Sequence, residues 1–454
     1  MMKNKLVIFS LFLSAFIANA QTNPVITKWL QNTTGITGRH YVSGNYTPIT
    51  DATLANVQTV QYSANNVYVS TKGIPAYITG PFLDGNQSLA TSTNAIFKFP
   101  LNPVQNTGTA TNTTGGNIGV FINGVALFDY RDGVSWQNST NSMKGGPLGG
   151  TGDGVWNRDA IVAEKGGFDC SKGHPAMGNY HHHQNPSSFK LDLTVISTIC
   201  TLYAADGLYT IDSTQHSPLI GFAYDGFPIY GAYGYKNIDG TGGIVRIKSS
   251  YSLRNITTRT TYSTGATVTT GPAVSTTYPL GLFREDYQYN ATSTSTPDYL
   301  DAHNGRFCVT PEYPNGIYCY FTTVDAHWNS AYPYAVGPTF YGTKVATKVN
   351  SITETVSTYT ATSTGLNDAI QDKVSVNIFP NPSSDLIAIQ INSIINKNIL
   401  VELYDIAGRF IEKISILQGS TIAYFDTIKL YSGEYFAKIY TGNEVVTKKI
   451  MLVK

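Results

Sequence analysis

Hydrophobic and polar residues alternate along much of the chain with the period of a β-strand. Residues 57–62 and 66–70 alternate in this way on either side of a short Ala-Asn-Asn turn, and residues 117–122 lead into an Asn-Gly turn. Successive side chains of a strand point to opposite faces, so these segments predict hairpins with one buried face. The pattern predicts a mostly β protein.

The C-terminal region shows the same alternation in shorter segments. Seven strand-like stretches are separated by turns, at 374–379, 387–391, 400–404, 410–416, 423–425, 433–440 and 445–453. This number and spacing are typical of a small β-sandwich. We therefore expect a second domain over residues 374–454.

Changes in composition suggest how the rest of the chain is divided. Residues 21–56 form a polar lead-in, and 57–342 form a large irregular β-rich domain. Residues 343–373 are rich in Ser and Thr, as expected of a flexible linker. Two further Thr-rich stretches, 103–116 and 259–278, are expected to be surface loops.

The N-terminus has the features of a secretory signal. Lys3 and Lys5 precede an apolar run over 6–17, and Ala-Asn-Ala at 18–20 is a cleavage site of small residues. The apolar run is shorter than the roughly 20 residues that span a bilayer. We predict that residues 1–20 are removed and that the mature chain is exported without a transmembrane segment.

The low net charge and the absence of common catalytic motifs argue against several classes of partner and enzyme. The formal net charge is +1 and charged residues make up 13% of the chain, with no basic run. Such a chain offers nucleic acid and anionic membranes no long-range attraction. The Gly-Lys-Ser/Thr phosphate loop, the Gly-x-Ser-x-Gly elbow and the His-Glu-x-x-His helix are absent from the sequence.

The four cysteines are expected to form disulfides, because an exported chain matures in an oxidising compartment. Cys308 and Cys319 flank a turn-forming cluster at 311–316, which should fold them alongside each other. The predicted bridges are therefore Cys308–Cys319 and, with the two that remain, Cys170–Cys200.

A histidine cluster carries the candidate chemistry. If residues 179–184 form a strand, His181 and His183 share one face and His182 points to the other. The Cα atoms of such an i, i+2 pair lie about 6.5–7 Å apart, so both rings can reach one metal at about 2 Å. We expect copper or zinc, bound by His181 and His183, with His174 and His216 completing the site. Nearby carboxylates expected to orient these ligands are Asp169, Glu164 and Asp225.

Other interpretations of the cluster remain open. The imidazoles and tyrosine hydroxyls could form a hydrogen-bonded network without an ion, or the site could catalyse without a metal. A non-enzymatic surface module that binds glycan or protein through exposed tyrosines is a further hypothesis. A metal-dependent hydrolase or oxidoreductase would require one open coordination position.

Residues 57–342 resemble the YHYH domain, named for a Tyr-His-Tyr-His motif. Residues 180–183 match that motif except that His182 replaces the second tyrosine. The resemblance extends through 173–175, 216–231, 300–306 and 311–314. If these matching segments form a functional site, we expect His216 and Asp225 to lie beside the His181/His183 strand. Arg306 would then bind an anion and Tyr180 would contact the substrate.

The tail resembles the sorting domain of type IX secretion cargo in Bacteroidota. Four motifs occur in order, at 378–383, 403–409, 430–436 and 448–449. The resemblance implies a partner, the type IX machinery, that recognises residues 374–454 at the outer membrane. It also implies that the tail is cleaved or exchanged for an anchor, after passage through the periplasm to the cell surface or the medium.

Overall fold

The computed structural model describes residues 23–84, 88–146, 150–194, 197–292, 295–360, 376–391, 398–417, 420–440 and 445–454. The chain divides into two compact units, with the division between Thr362 and Ser363. The predicted signal peptide, 1–20, lies outside the described residues. Within the described ranges, no helix is both long and apolar enough to cross a membrane.

The first unit is built almost entirely from short strands. Its two described α-helices have four residues each, α1 (Pro24–Thr27) and α2 (Ala160–Ala163). Single 3-10 turns occur at Asn138–Thr140, Lys165–Gly167, Phe189–Leu191, Ile199–Thr201 and Arg284–Asp286. The strands described in this unit are β1 (Thr37–Val42), β2 (Asn45–Leu54), β3 (Val57–Tyr62), β4 (Asn66–Thr71), β5 (Ile78–Thr79), β6 (Ala95–Pro100), β7 (Thr111–Asn112), β8 (Asn117–Phe121), β9 (Ala126–Phe128), β10 (Arg131–Gln137), β11 (Ser142–Gly145), β12 (Asn157–Asp159), β13 (His174–Ala176), β14 (Asn179–His182), β15 (Leu219–Ala223), β16 (Pro228–Tyr230), β17 (Tyr233–Tyr235), β18 (Ile244–Arg246), β19 (Tyr251–Leu253), β20 (Tyr287–Tyr289), β21 (Gly305–Cys308), β22 (Ile317–Phe321), β23 (Thr339–Phe340), β24 (Thr347–Val349) and β25 (Ser357–Tyr359).

Two sheets supply the main core of the first unit. An eight-stranded sheet has the order β13-β14-β9-β8-β15-β16-β22-β21, and a five-stranded sheet has the order β24-β6-β4-β3-β25. Apolar residues of both sheets, such as Val69, Phe97, Phe121 and Phe222, belong to one buried cluster. Burying one face of each sheet against the other removes this apolar surface from water. The candidate histidines lie at one edge of the larger sheet.

The second unit contains seven described strands in two sheets. They are β26 (Val376–Phe379), β27 (Leu386–Ile391), β28 (Ile399–Asp405), β29 (Phe410–Ile416), β30 (Ile422–Asp426), β31 (Gly433–Tyr440) and β32 (Val445–Leu452). The sheets have the orders β26-β27-β30 and β29-β28-β31-β32. Residues of both sheets, including Ile389 and Val401, form one buried cluster. This is a β-sandwich, and the prediction of a mostly β chain is confirmed in both units.

The segments predicted as a polar lead-in and a flexible linker both contain strands. β1 and β2 lie in the predicted lead-in, 21–56, where they pair with each other. β24 and β25 lie in the predicted linker, 343–373, and pair with β6 and β3. Both edges of the five-stranded sheet therefore come from the segment assigned to the linker. The end of that segment, 361–373, lies outside the described residues.

The cysteine predictions had different outcomes. Cys170 and Cys200 form a disulfide across 30 residues, with Cα atoms 5.2 Å apart, as predicted. The predicted Cys308–Cys319 bridge is contradicted, because both are buried free thiols. The turn does bring β21 alongside β22, but the register places Cys308 opposite Ile317 and Cys319 opposite Arg306. Such diagonal neighbours have Cα atoms about 7–8 Å apart, beyond the usual range for a disulfide.

Candidate metal centre

A hairpin of β13 and β14 carries three of the candidate histidines. Its register pairs His174 with His181 directly across the two strands. The connecting residues Met177 and Gly178 have φ angles of 48° and 85°, the positive values that a tight two-residue hairpin turn requires. A Cβ on Gly178 would also lie 2.1 Å from Thr91 Oγ1. This turn fixes the register and so brings His174 beside His181.

The Nε2 atoms of His174, His181 and His183 converge on one point. His181 Nε2 lies 3.1 Å from His183 Nε2, and His174 Nε2 lies 3.4 Å from His183 Nε2. All three side chains are buried, and together they form a group able to hold a metal ion. Three nitrogens bound to one tetrahedral ion at about 2.0–2.1 Å would be roughly 3.3 Å apart. The observed spacing therefore fits such an ion.

Backbone carbonyls set the tautomers of two of these rings. His181 Nδ1 lies 2.9 Å from the carbonyl oxygen of Asn179, and His183 Nδ1 lies 2.6 Å from that of Asp129. A carbonyl oxygen only accepts, so each Nδ1 must donate a hydrogen. Each Nε2 then carries a lone pair directed at the convergence point. Metal-binding histidines are oriented by this kind of hydrogen bond.

Glu164 closes the cluster from the end of α2. Its Oε2 lies 3.3 Å from His174 Nε2 and 3.4 Å from His183 Nε2. Among the residues that the structure describes, this buried oxygen has no hydrogen-bond partner. The sequence predicted Glu164 as a carboxylate that orients the ligands, whereas the structure places its oxygen within the ring of donor atoms.

The environment keeps most of the imidazoles neutral. Burial lowers the pKa of His181 well below its ordinary value, and the neighbouring rings His183 and His174 lower it further. Burial likewise lowers the pKa of His174 to about 4. Burial opposes protonation of His183 too, but the Glu164 carboxylate and the Asp129 carbonyl outweigh it and raise its pKa above 6.5. The cluster therefore offers lone pairs near neutral pH, and His183 is the ring most readily protonated.

His182 lies on the other face of β14, as the alternation predicted. Its Nδ1 lies 3.1 Å from the Lys172 carbonyl oxygen, so Nδ1 donates and Nε2 is left as an acceptor. The Tyr77 hydroxyl donates to this Nε2 at 2.5 Å. Phe121 and Tyr180 pack edge-on against the ring. His182 is thus a core residue with both nitrogens satisfied.

Asp169 and Tyr180 hold the hairpin without facing the three Nε2 atoms. The Tyr180 hydroxyl donates to Asp169 Oδ2 at 2.8 Å, and the same oxygen accepts from the Gly80 amide. Asp169 Oδ1 accepts from the amides of Ser171 and Gly173. Both side chains are fully buried. The predicted contact of Tyr180 with a substrate is therefore replaced by a structural hydrogen bond.

His216, Asp225 and Arg306 are not brought to the cluster. The His216 ring packs against Tyr230, Tyr235 and Phe321, and His216 is outside the group of three histidines. The prediction that His216 is a ligand is therefore wrong. His216 lies just before β15, and its ring is held among residues of β16, β17 and β22.

The other two predicted residues have structural partners of their own. Asp225 is buried in the turn between β15 and β16, where it accepts from Tyr320 Oη at 2.6 Å and the Gly342 amide at 2.8 Å. The Arg306 guanidinium is buried and donates to the carbonyl oxygens of Tyr235, Lys236 and Pro297. Because three of its five N–H donors bind backbone carbonyls and the side chain is buried, the structure does not present this guanidinium as an anion clamp.

Sequence reasoning missed three neighbours of the cluster. The Phe128 ring stacks on His181 with centroids 3.8 Å apart, Asp129 supplies the carbonyl that orients His183, and Tyr77 supports His182. Two of them follow from β9 lying parallel to β14, with Ala126 opposite His181. A pairing across about fifty residues leaves no local signal, so no sequence pattern pointed to them.

Comparison with known proteins identifies both units. The family model described as "YHYH protein" matches residues 96–333, which is more than half of the chain. The model described as "Secretion system C-terminal sorting domain" matches residues 377–454. No curated protein matches the chain.

Among solved structures, latent PorU aligns with a small part of the chain. The crystal structure of dimeric latent PorU from Porphyromonas gingivalis is 22% identical over 17% of this chain and 9% of that chain, with a TM-score of 0.15. The chain thus spans under a tenth of that protein. A likeness of this extent supports no inference about fold or function.

Proposed function

This chain belongs to the YHYH protein family, and from that premise we propose that its first unit is an exported module that binds one transition-metal ion through His174, His181 and His183. The C-terminal sorting domain makes the protein cargo of the type IX secretion machinery and hence a secreted or cell-surface protein. The proposal includes passage through the periplasm, guided by the N-terminal signal. It also includes residues 374–454 as the extent of the sorting domain.

One observation carries the proposal: three Nε2 atoms converge, two of them 3.1 and 3.4 Å from the third. Bringing three buried imidazole lone pairs together without an ion or a shared proton is unfavourable, because each is a polar group without an adequate donor. A metal ion satisfies all three at once. The carbonyls of Asn179 and Asp129 hold two of the rings in the tautomer that a metal needs.

The donor set indicates the class of ion. Imidazole nitrogens suit zinc and copper, while calcium and magnesium prefer oxygen ligands. The Glu164 carboxylate, whose Oε2 is buried, adds one negative charge beside the histidines, which offsets part of the charge of a divalent cation. Zinc and copper are therefore the proposed ions.

Metal analysis of the purified mature protein tests the proposal. One zinc or copper ion per chain is expected after dialysis against metal-free buffer, and none after treatment with a strong chelator. His174→Ala, His181→Ala and His183→Ala should each lose the ion. A folded wild-type protein that binds neither zinc nor copper would return the cluster to a hydrogen-bonded network. In that case, binding of glycan or protein would become the leading function.

A further inference from the structure

We infer that Glu164 is the fourth protein ligand of this ion and that the site is a closed tetrahedral cage of three nitrogens and one oxygen, suited to zinc. The inference rests on the proposed metal site and goes beyond it in two ways. It assigns a ligand role to a carboxylate outside the histidine group, and it leaves no coordination position for a substrate or water.

The distances among the four donor atoms carry the inference. Four of the six pairs among the donor atoms, all except those of His181 with His174 and with Glu164, are 3.1, 3.3, 3.4 and 3.4 Å apart. A tetrahedral ion with bonds of about 2.0–2.1 Å sets every pair of ligands roughly 3.3 Å apart. Glu164 Oε2 thus lies as far from His174 and His183 Nε2 as His183 Nε2 lies from the other two nitrogens. A carboxylate that only oriented a ligand would bind the far side of the ring, at Nδ1.

The chain around Glu164 holds its oxygen in this position. Asp159 caps α2 by accepting from the Ile161 amide at 2.8 Å, and Tyr334 donates to the other oxygen of Asp159 at 2.7 Å. The Glu164 amide then donates to the Ala160 carbonyl oxygen and ends the helix. A helix anchored at both ends presents Glu164 at a fixed point over β13 and β14.

The coordination chemistry agrees with this geometry. A carboxylate balances one charge of a divalent ion that is buried among neutral rings, where an unbalanced charge is costly. Tetrahedral sites with four protein ligands are typical of structural zinc, whereas copper(II) favours tetragonal sites. The ion would then fasten α2 to the hairpin of β13 and β14 and contribute to folding.

The alternative role for Glu164 is a general base beside a metal-bound water, which requires an open position. Cobalt(II) in place of zinc distinguishes the two roles through its visible absorption, which is intense for four ligands and changes when an added anion binds. The full mature chain loaded with Co²⁺ should show the intense band and no change with azide. Glu164→Ala should still bind Co²⁺, and its spectrum should shift with azide because a ligand position has opened.

Zinc affinity provides the quantitative test. Loss of a direct ligand should weaken Zn²⁺ binding more than 100-fold in Glu164→Ala, beyond the 10- to 100-fold typical of groups that only orient ligands. Glu412→Gln, an exposed carboxylate of the second unit, is the control and should match the wild type. An azide shift in the wild type, or a loss of 100-fold or less in Glu164→Ala, would overturn the inference while leaving the histidine site intact. A wild type that binds neither Zn²⁺ nor Co²⁺ would instead refute the metal site itself.

Discussion

His182 offers a substitution that separates the stability of the fold from metal binding. It lies in the same Tyr-His-His-His run as two ligands but on the opposite face of β14, where it contacts Tyr77 and the Lys172 carbonyl. We predict that His182→Ala destabilises the first unit and leaves the affinity for the ion unchanged. His181→Ala, in contrast, should lower the affinity for the ion, because it removes one of the three imidazole ligands.

The size of the destabilisation follows from the contacts that are lost. Removing the ring leaves the buried Lys172 carbonyl oxygen without this donor, which costs about 1–3 kcal/mol. The cavity between Phe121 and Tyr180 adds a cost on the scale of other large-to-alanine changes, about 2–5 kcal/mol. Tyr77 retains neighbouring side chains for its hydroxyl, so little is added there. The expected total is about 3–8 kcal/mol.

The ion supplies an independent increment. A ligand at 100 times its dissociation constant stabilises the folded state by about 2.7 kcal/mol. The His182→Ala protein should gain this increment from added zinc, as the wild type does, although its stability without metal is lower. The His181→Ala protein should gain none at that concentration, because it lacks one of the three imidazoles.

Urea unfolding followed by tryptophan fluorescence measures both quantities. The four tryptophans, Trp29, Trp136, Trp156 and Trp328, all belong to the first unit, so the signal reports that unit alone. Each variant is unfolded in chelator and again with zinc. Equal zinc increments for the His181→Ala and His182→Ala proteins would refute the assignment of the two faces of β14.

Three further predictions concern export, cysteines and pH. Deleting 374–454 should leave a folded first unit trapped in the periplasm, and its appearance at the cell surface would contradict the sorting role of the tail. A non-reduced peptide map should show Cys170 joined to Cys200, and Cys308 and Cys319 should react with a thiol reagent only after unfolding; opening the first bridge should cost about 3–4 kcal/mol, given its loop of 30 residues. Metal affinity should fall as pH decreases through the pKa of His183, which lies above 6.5, because protonated imidazole cannot bind. An affinity that is constant from about pH 8 to about pH 6 would contradict that assignment.

The period of the hydrophobic pattern predicted strands well where the chain alternates. The tail strand expected at 410–416 appears as Phe410–Ile416, and that expected at 433–440 appears as Gly433–Tyr440. The pattern failed in the lead-in and the linker, where strands such as β2 and β25 are largely exposed and polar. Edge strands of this kind form because a neighbouring strand offers backbone hydrogen bonds, which the sequence does not display.

The candidate site was predictable to the extent that it is local. His174, His181 and His183 lie within ten residues, so a strand and a turn bring them together. The expected roles of His216, Asp225 and Arg306 depended on how distant strands pair, and the sequence contains no signal for that register. Glu164 lies ten residues before His174, and only the position of α2 brings its carboxylate to the cluster.

Anomalous X-ray diffraction from crystals of the mature protein grown with zinc tests the central claim most directly. Data collected on both sides of the zinc absorption edge should show one strong peak in the first unit, about 2.0–2.1 Å from the Nε2 atoms of His174, His181 and His183. No peak among these atoms in a folded, zinc-saturated crystal, or a peak bound by other residues, would contradict the account.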